Sequence, residues 1–437
     1  MRKVLSFFII IVLLAFHVVP VMAVDDVFYE TFSPFTNVDL DKEWRVLFNH
    51  GDIENNVKAW IEDSSKTIVP TRQRIEDNTL IIEPINNYMG NEEYTLYIGK
   101  TSSQKLNNQQ KVVFTTRKIT ARELDPDVQG RIKEIKGYWD SIKPINKEIE
   151  YIEKPSSVFP YSLGKLTDET LKNALNVTNF VRYVAYLPSD VKLNEQFNRE
   201  AQAASVVNAA NNLLTHYPTR PKDMDNSLYE LGSYGARTSN LGQGFRSIVD
   251  SIIMGYMYDG DSSNIDRVGH RLWVLSPKLK EVGFGYATSK DNVGFTGMKV
   301  ISDNMHYNSE KYYDYISWPA KTAMPAQLFT KSYPWSVSLN PEIYNRYEID
   351  NVKVELTRMS DNKTWTFSKD SKDGYFNIGT GNYGYLPFTI IFSPDDMPTY
   401  NSGDHYKVTI SNLRKINGEY ATISFDTVFF NLNDFWY

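Results

Sequence analysis

Hydrophobic and polar residues alternate toward both ends of this chain, and helical spacing takes over in its middle. KEWRVLFN (Lys42 to Asn49) alternates as a half-buried strand does. VKAWIED, TLIIEPI, YTLYIGK and QKVVFTT follow, separated by Asn, Asp, Gly and Ser clusters. Short strands at this spacing predict an Ig-like β-sandwich over 25–118. The stretch 119–165 is charged and mixed, with partial helical periodicity interrupted at Gly137 and Pro144. It reads as a partly helical linker. After Trp318-Pro319 the alternation returns in WSVSLNP, NVKVELTRM, KTWTFSK, FTIIFSP, HYKVTISNL and TISFDTVFFNL, which predicts a second Ig-like sandwich over 319–437.

Residues 166–305 differ. DETLKNALNVTNFVRYVAYL opens on two acids suited to a helix N-terminus and carries an apolar stripe at Leu171, Leu175, Phe180, Val181 and Val184. The next segment, from Asn194, has a good N-cap and an Ala-rich middle that favours close helix packing. QGFRSIVDSIIMGYMYD is a third helix candidate, and VGFGYAT and NVGFTGMKVI read as strands. The fold class is therefore multidomain α+β.

The N-terminus changes the picture of compartment. Arg2 and Lys3 precede a nearly unbroken apolar run from Val4 to Phe16, and Val21-Met22-Ala23 offers a cleavage site. The run falls short of the ~20 residues that span a bilayer. A removable signal peptide over 1–23 is expected, with a secreted, extracellular or cell-envelope location and no transmembrane segment in the mature chain. There is no cysteine, which excludes disulfides, thiolate zinc sites and a cysteine nucleophile. The net charge of −6, with acids and bases interspersed, argues against nucleic acid as a partner.

Candidate chemistry centres on histidine, of which the chain has six. His216 follows the Ala-rich helix, where Pro218 and Pro221 stop continuation. His270 sits in DRVGHRLWVL ahead of an apolar run. Histidine supplies acid/base capacity near neutral pH unaided. Arg271 reads as a structural ion-pair or carbonyl-binding residue. Ser239 lacks a nucleophile-elbow context, and TSN reads as turn chemistry. Asp259, in DGD, is most simply a turn residue.

The ordered set LLTH (213–216), SNLGQG (239–244), IIMGYMYD (252–259), VGHRLWVLSP (268–277) and VGFGYA (282–287) resembles the CAP superfamily in its bacterial form: cysteine-rich secretory, antigen-5 and pathogenesis-related proteins. The resemblance covers 166–305 and implies an α-β-α sandwich with a central cleft, here between the two Ig-like domains. The family's cleft carries two histidines and two acids. His216 and His270 match the histidines. The first acid normally stands in GENL; here TSNL puts Ser239 in its place and keeps Asn240. Asp259 lies near the second acid's position. The cleft residues implied are His216, Ser239, Asn240, Asp259 and His270, with His216 and His270 as the metal ligands, for Zn²⁺, should one bind. A catalytic zinc normally takes three protein ligands. The expectation is a cleft that binds a small molecule, lipid, peptide or cell-wall glycan fragment without turnover. The alternatives are a metal-assisted peptidase or nuclease using His216 and His270, and a structural or adhesive envelope protein with a vestigial cleft.

Overall fold

The computed structural model describes residues 29–433 apart from 48–56, 65, 77, 86–87, 89, 91, 103–104, 117–124, 303–312 and 371–372. The expected signal peptide, 1–23, lies outside the described residues.

At the N-terminal end, the strands Trp44–Leu47, Thr79–Pro84 and Thr71–Glu76 form one antiparallel sheet. A second sheet is built on Val57–Asp63, Glu93–Ser102 and Lys105–Thr116. The two share a core in which Trp44, Ile82, Ile61, Leu96 and Phe114 are buried. The inward positions are those that the alternation marks, as period-2 patterning requires. The strand Thr71–Glu76 is nearly all exposed and polar, so it carries no hydrophobic signal.

Helix α1 (Pro126–Ile142) starts at Asp125, whose Oδ1 accepts from the Asp127 N–H at 2.8 Å, and has Pro at its first position. It runs through Gly137 without interruption, against expectation. The helix is anchored by packing: Ile132 and Ile135 are buried, and Tyr138 and Trp139 lie against Phe180 of the next helix. Tertiary packing of this kind outweighs the ~1 kcal/mol cost of one glycine. Helix α1 is thus docked against the next helix.

The middle unit is three layers. Its sheet runs Lys192–Leu193, Glu281–Thr288, Gly294–Lys299, Ser239–Gln243. Helix α2 (Asp168–Val184), capped by Thr167, covers one face; helix α3 (Glu195–Asn211), capped by Asn194, covers the other. The sequence VGFGYA explains the arrangement. Val282, Phe284 and Tyr286 point to the α2 face and join its core, while Gly283 and Gly285 point to α3. A Cβ on Gly285 would lie 2.3 Å from the Ala201 carbonyl carbon, so the Ala-rich helix rests directly on the glycine face. Asn198 and Gln202 of α3 then accept from the Phe284 and Tyr286 N–H groups at 3.0 and 2.9 Å, satisfying a strand edge that has no neighbour there.

Three local expectations are corrected. Helix α4 (Asn226–Arg237), packed on α3, was not expected. The third helix candidate shortens to α5 (Ile248–Asp250) running into a π turn, Ser251–Tyr256. Ser239 and Asn240 are strand residues, paired with Lys299 and Met298, not a turn. Backbone pairing to an already placed strand overrides the turn preference of Ser and Asn. Helix α6 (Gly269–Val274) follows.

The C-terminal unit is two sheets. One orders Tyr315–Trp318, Trp335–Leu339, Thr389–Pro394, Gly374–Gly379; the other Thr322–Pro325, Tyr420–Phe430, His405–Arg414, Lys353–Arg358, Lys363–Phe367. Its first strand therefore begins at Tyr315, ahead of the expected joint at 319. Its core of Trp318, Trp335, Phe392, Tyr406 and Phe429 is continuous with that of the middle unit. Among the described residues, no helix is long and apolar enough to cross a membrane.

Candidate functional site

His270 occupies the first turn of α6. The residue two before it, Val268, is buried and has φ 43°, a left-handed conformation unusual for a β-branched side chain. Asp259, eleven residues upstream and three beyond the π turn, also has positive φ, 44°. These two bends bring Asp259 against the helix start. Its Oδ1 accepts from His270 Nδ1 at 2.7 Å, and its Oδ2 from the Arg271 N–H at 2.9 Å. A carboxylate only accepts, so Nδ1 carries the hydrogen and, in the neutral ring, Nε2 keeps its lone pair. Asp259 is 1% exposed, and His270 is 21% exposed at the side chain. Strain concentrated at such a pair is the pattern of a site held against local preference.

Arg271 points the other way. Fully buried, it donates to the carbonyls of Met257 (2.9 Å), Tyr258 (2.7 Å) and Pro334 (2.7 Å) and to Ser336 Oγ (2.9 Å). Burial lowers its pKa to about 10, against the raising effect of Asp259. The carbonyl-binding role expected of Arg271 is thus what places α6, and His270 with it, against the C-terminal sheet.

His216 is exposed and lies beyond the α3 end. Its Nδ1 bonds the carbonyl oxygen of Ala236 at 2.7 Å, one of the last carbonyls of α4. The helix terminus it completes is that of α4, not of the helix preceding it in sequence. A carbonyl only accepts, so this Nδ1 also carries the hydrogen. Neither Nε2 has a hydrogen-bond partner among the described residues.

Both histidines line one cavity of about 690 Å³. Ser239 and Asn240 line it as well. Asn240 Nδ2 donates to the His270 carbonyl at 2.9 Å. Ser239 is 4% exposed and its Oγ has no hydrogen-bond partner among the described residues. Asp259 is not part of the lining; it stands behind His270 as a positioning residue. Four of the five residues singled out from sequence therefore meet at one place, and the fifth orients one of them.

Other lining residues escaped the sequence reading: Arg237, Arg267, Trp273, Tyr217 and Tyr383. Arg267 and Trp273 flank His270 in the quoted motif, and a charged and an aromatic residue beside it were a usable signal. Tyr383 had none. It comes from a turn of the C-terminal unit, Tyr383–Tyr385, that packs on α6. Gly384 there has φ 58°, and a Cβ on it would lie 1.9 Å from the Leu272 carbonyl oxygen, so only glycine permits the approach.

The donor set bears on zinc. No group of three or more His, Cys, Asp or Glu among the described residues is placed to hold a metal ion. Both oxygens of Asp259 are committed, and a hydroxyl stands at 239. Among the described residues the cleft presents two imidazoles and no carboxylate, one fewer than the three protein ligands a catalytic zinc usually takes.

Residues 175–299 match the family model described as CAP, the cysteine-rich secretory protein family. No curated protein matches the chain. Among solved structures, domains 1–6 of the surface layer protein SbsC align with 91% of this chain and 53% of that one, at 10% identity and a TM-score of 0.15. The chain spans about half the length of that structure, and so loose a superposition carries no argument.

Proposed function

We propose, from the premise that residues 175–299 form a domain of the cysteine-rich secretory protein family, that this is an exported, envelope-associated binding protein. Its cleft holds a small or extended ligand and releases it unchanged. The flanking β units act as Ig-like spacers, and the C-terminal one also closes one wall of the cleft. The observation that carries the reading is the cavity itself. At about 690 Å³ it falls within the range of ligand pockets, and polar and aromatic groups converge on it from two units. Asp259, the carboxylate beside His270, is spent on holding that ring and the Arg271 N–H.

The test is to incubate the purified protein with peptide and glycan fragments of cell wall and with lipid. Trp273 fluorescence follows occupancy, and mass spectrometry shows whether the bound compound is recovered intact. Saturable quenching with intact recovery supports the reading. Cleavage that disappears in His270→Ala overturns it.

One observation favours a second reading. The His270–Asp259 pair is an oriented imidazole with a free Nε2, which is the arrangement of a general base. A hydrolase built on it requires that His216→Ala/His270→Ala folds normally and loses a measurable activity. Retained activity in that variant removes this reading.

A further inference from the structure

We infer that the cleft is an anion site: it takes a carboxylate or phosphate group carried by its ligand. The inference rests on the cleft-binding reading above and specifies what is bound.

Three observations point there independently. The first is charge. The chain carries a net charge of −6, yet the cavity lining includes two arginines and two histidines and, among the described residues, no Asp or Glu. Of the carboxylates nearby, Asp259 is buried behind His270 with both oxygens engaged, Asp261 is held by Ser263 and Asn264 of the lining, and Asp266 pairs with Arg267.

The second is the state of the arginines. Arg237 has no carboxylate partner among the described residues; its side chain donates to Ser233 Oγ at 2.9 Å. Its remaining guanidinium donors are available in a planar fork, the geometry that suits carboxylate and phosphate. Arg267 pairs with Asp266 at 3.1 Å and donates to Asn264 Oδ1 at 3.3 Å, but that carboxylate is 61% exposed. An exposed pair of this kind is weak and gives way to a better-placed anion.

The third is Ser239. Its hydroxyl is buried, lines the cavity and has no partner among the described residues. A buried hydroxyl left unsatisfied is costly, and an oxyanion accepting from it removes that cost. A carboxylate in its place would repel the same ligand. Trp273 and Tyr383 line the same cavity, so the anionic group sits beside surfaces on which a ring or chain can pack.

The test uses the full chain and Trp273 fluorescence, with Trp273→Phe as the blank. Four probes separate the possibilities: glycerol 3-phosphate, a blocked dipeptide with a free C-terminal carboxylate, the same dipeptide amidated, and the neutral trimer of N-acetylglucosamine. Binding of the phosphate ester alone assigns a phosphate ligand; binding of the free-acid peptide, at least tenfold tighter than its amide, assigns a carboxylate. Either should weaken tenfold or more in Arg237→Gln/Arg267→Gln and in Ser239→Glu, and should weaken with added salt. Because Ser239→Glu places a larger group in a buried position, Ser239→Ala is run beside it, with a loss of about threefold expected. Equal binding of the amide or the neutral trimer, unaffected by the arginine changes, overturns the anion inference and leaves the cleft-binding reading standing. Silence from all four probes at millimolar concentration overturns both.

Discussion

At the scale of single residues, the chemistry turns on which nitrogen of each histidine carries the proton. The order of the motifs made the His216–His270 pair legible, and it marked Asp259 as an acid near them. It did not show that Asp259 faces away from the cleft, because that follows from two left-handed bends, at Asp259 and Val268, which sequence does not announce. Nor did it show that a backbone carbonyl, Ala236 O, holds His216. A direct consequence concerns tautomers. In the protein as it stands, ¹⁵N NMR of labelled histidine should show protonated Nδ1 and unprotonated Nε2 for neutral His270. Asp259→Asn presents an amide that can donate to Nδ1, and the tautomer of His270 should then reverse while that of His216 stays. An unchanged His270 spectrum would mean that Asp259 does not set the ring. Asp259→Ala should also lower stability by about 2–4 kcal/mol, since it strands the buried Arg271 N–H as well as the imidazole.

At the scale of elements, legibility followed how local the cause was. The strands with alternating patterns and the helices α2 and α3 were visible because burial on one face writes a period into the sequence. Helix α4 was not, because NSLYELGSYGAR contains two glycines where propensity wants none. Those glycines are the reason the helix is there. Gly235 faces the backbone of α3, and a Cβ on it would come 2.1 Å from the Glu200 carbonyl oxygen. Beneath this crossing lies a buried ion pair, Glu200 with Lys299 at 2.8 Å, with the ammonium also donating to Thr238 Oγ1 at 2.7 Å. Thr238 is next to Ser239, so the pair fixes the strand that presents the cavity's orphan hydroxyl. Lys299→Met leaves the Glu200 charge buried without its partner and should cost about 3–5 kcal/mol. The double variant Glu200→Gln/Lys299→Met should recover part of that loss. A thermal-melt cycle over the three variants checks it, and no recovery would mean the two groups do not act as a pair.

At the scale of the whole molecule, the middle and C-terminal units share one hydrophobic core and do not meet only at the 318–319 joint. The core is continuous across them, Arg271 crosses the boundary to Pro334 and Ser336, and Tyr383 completes the cleft wall. A second boundary joins the two β units. There a cavity of about 100 Å³ is lined by Asp63, Glu92 and Tyr94 from the first and by Arg358, Asp361, Asp404 and Tyr406 from the second. Asp404 is 2% exposed. Burial pushes its pKa up to about 8, the Asn401 N–H opposes the shift, Glu92 and Asp63 add to it, and Arg358 opposes it. The sign of the consequence follows from proton binding. Between the unfolded value of 3.8 and the folded value of about 8, the folded state holds a proton that the unfolded state has released, so stability falls as pH rises across that window and levels off above it. At about 1.4 kcal/mol per unit the loss is on the order of several kcal/mol. Asp404→Asn removes the ionisation and keeps an acceptor for the Asn401 N–H. Its melting temperature should match the parent's most closely at or below about pH 4, exceed it increasingly up to about pH 8, and by a constant margin above that. A difference that stays constant with pH would show that Asp404 is already charged in the folded protein, and that the junction between the β units is not weakened by alkali.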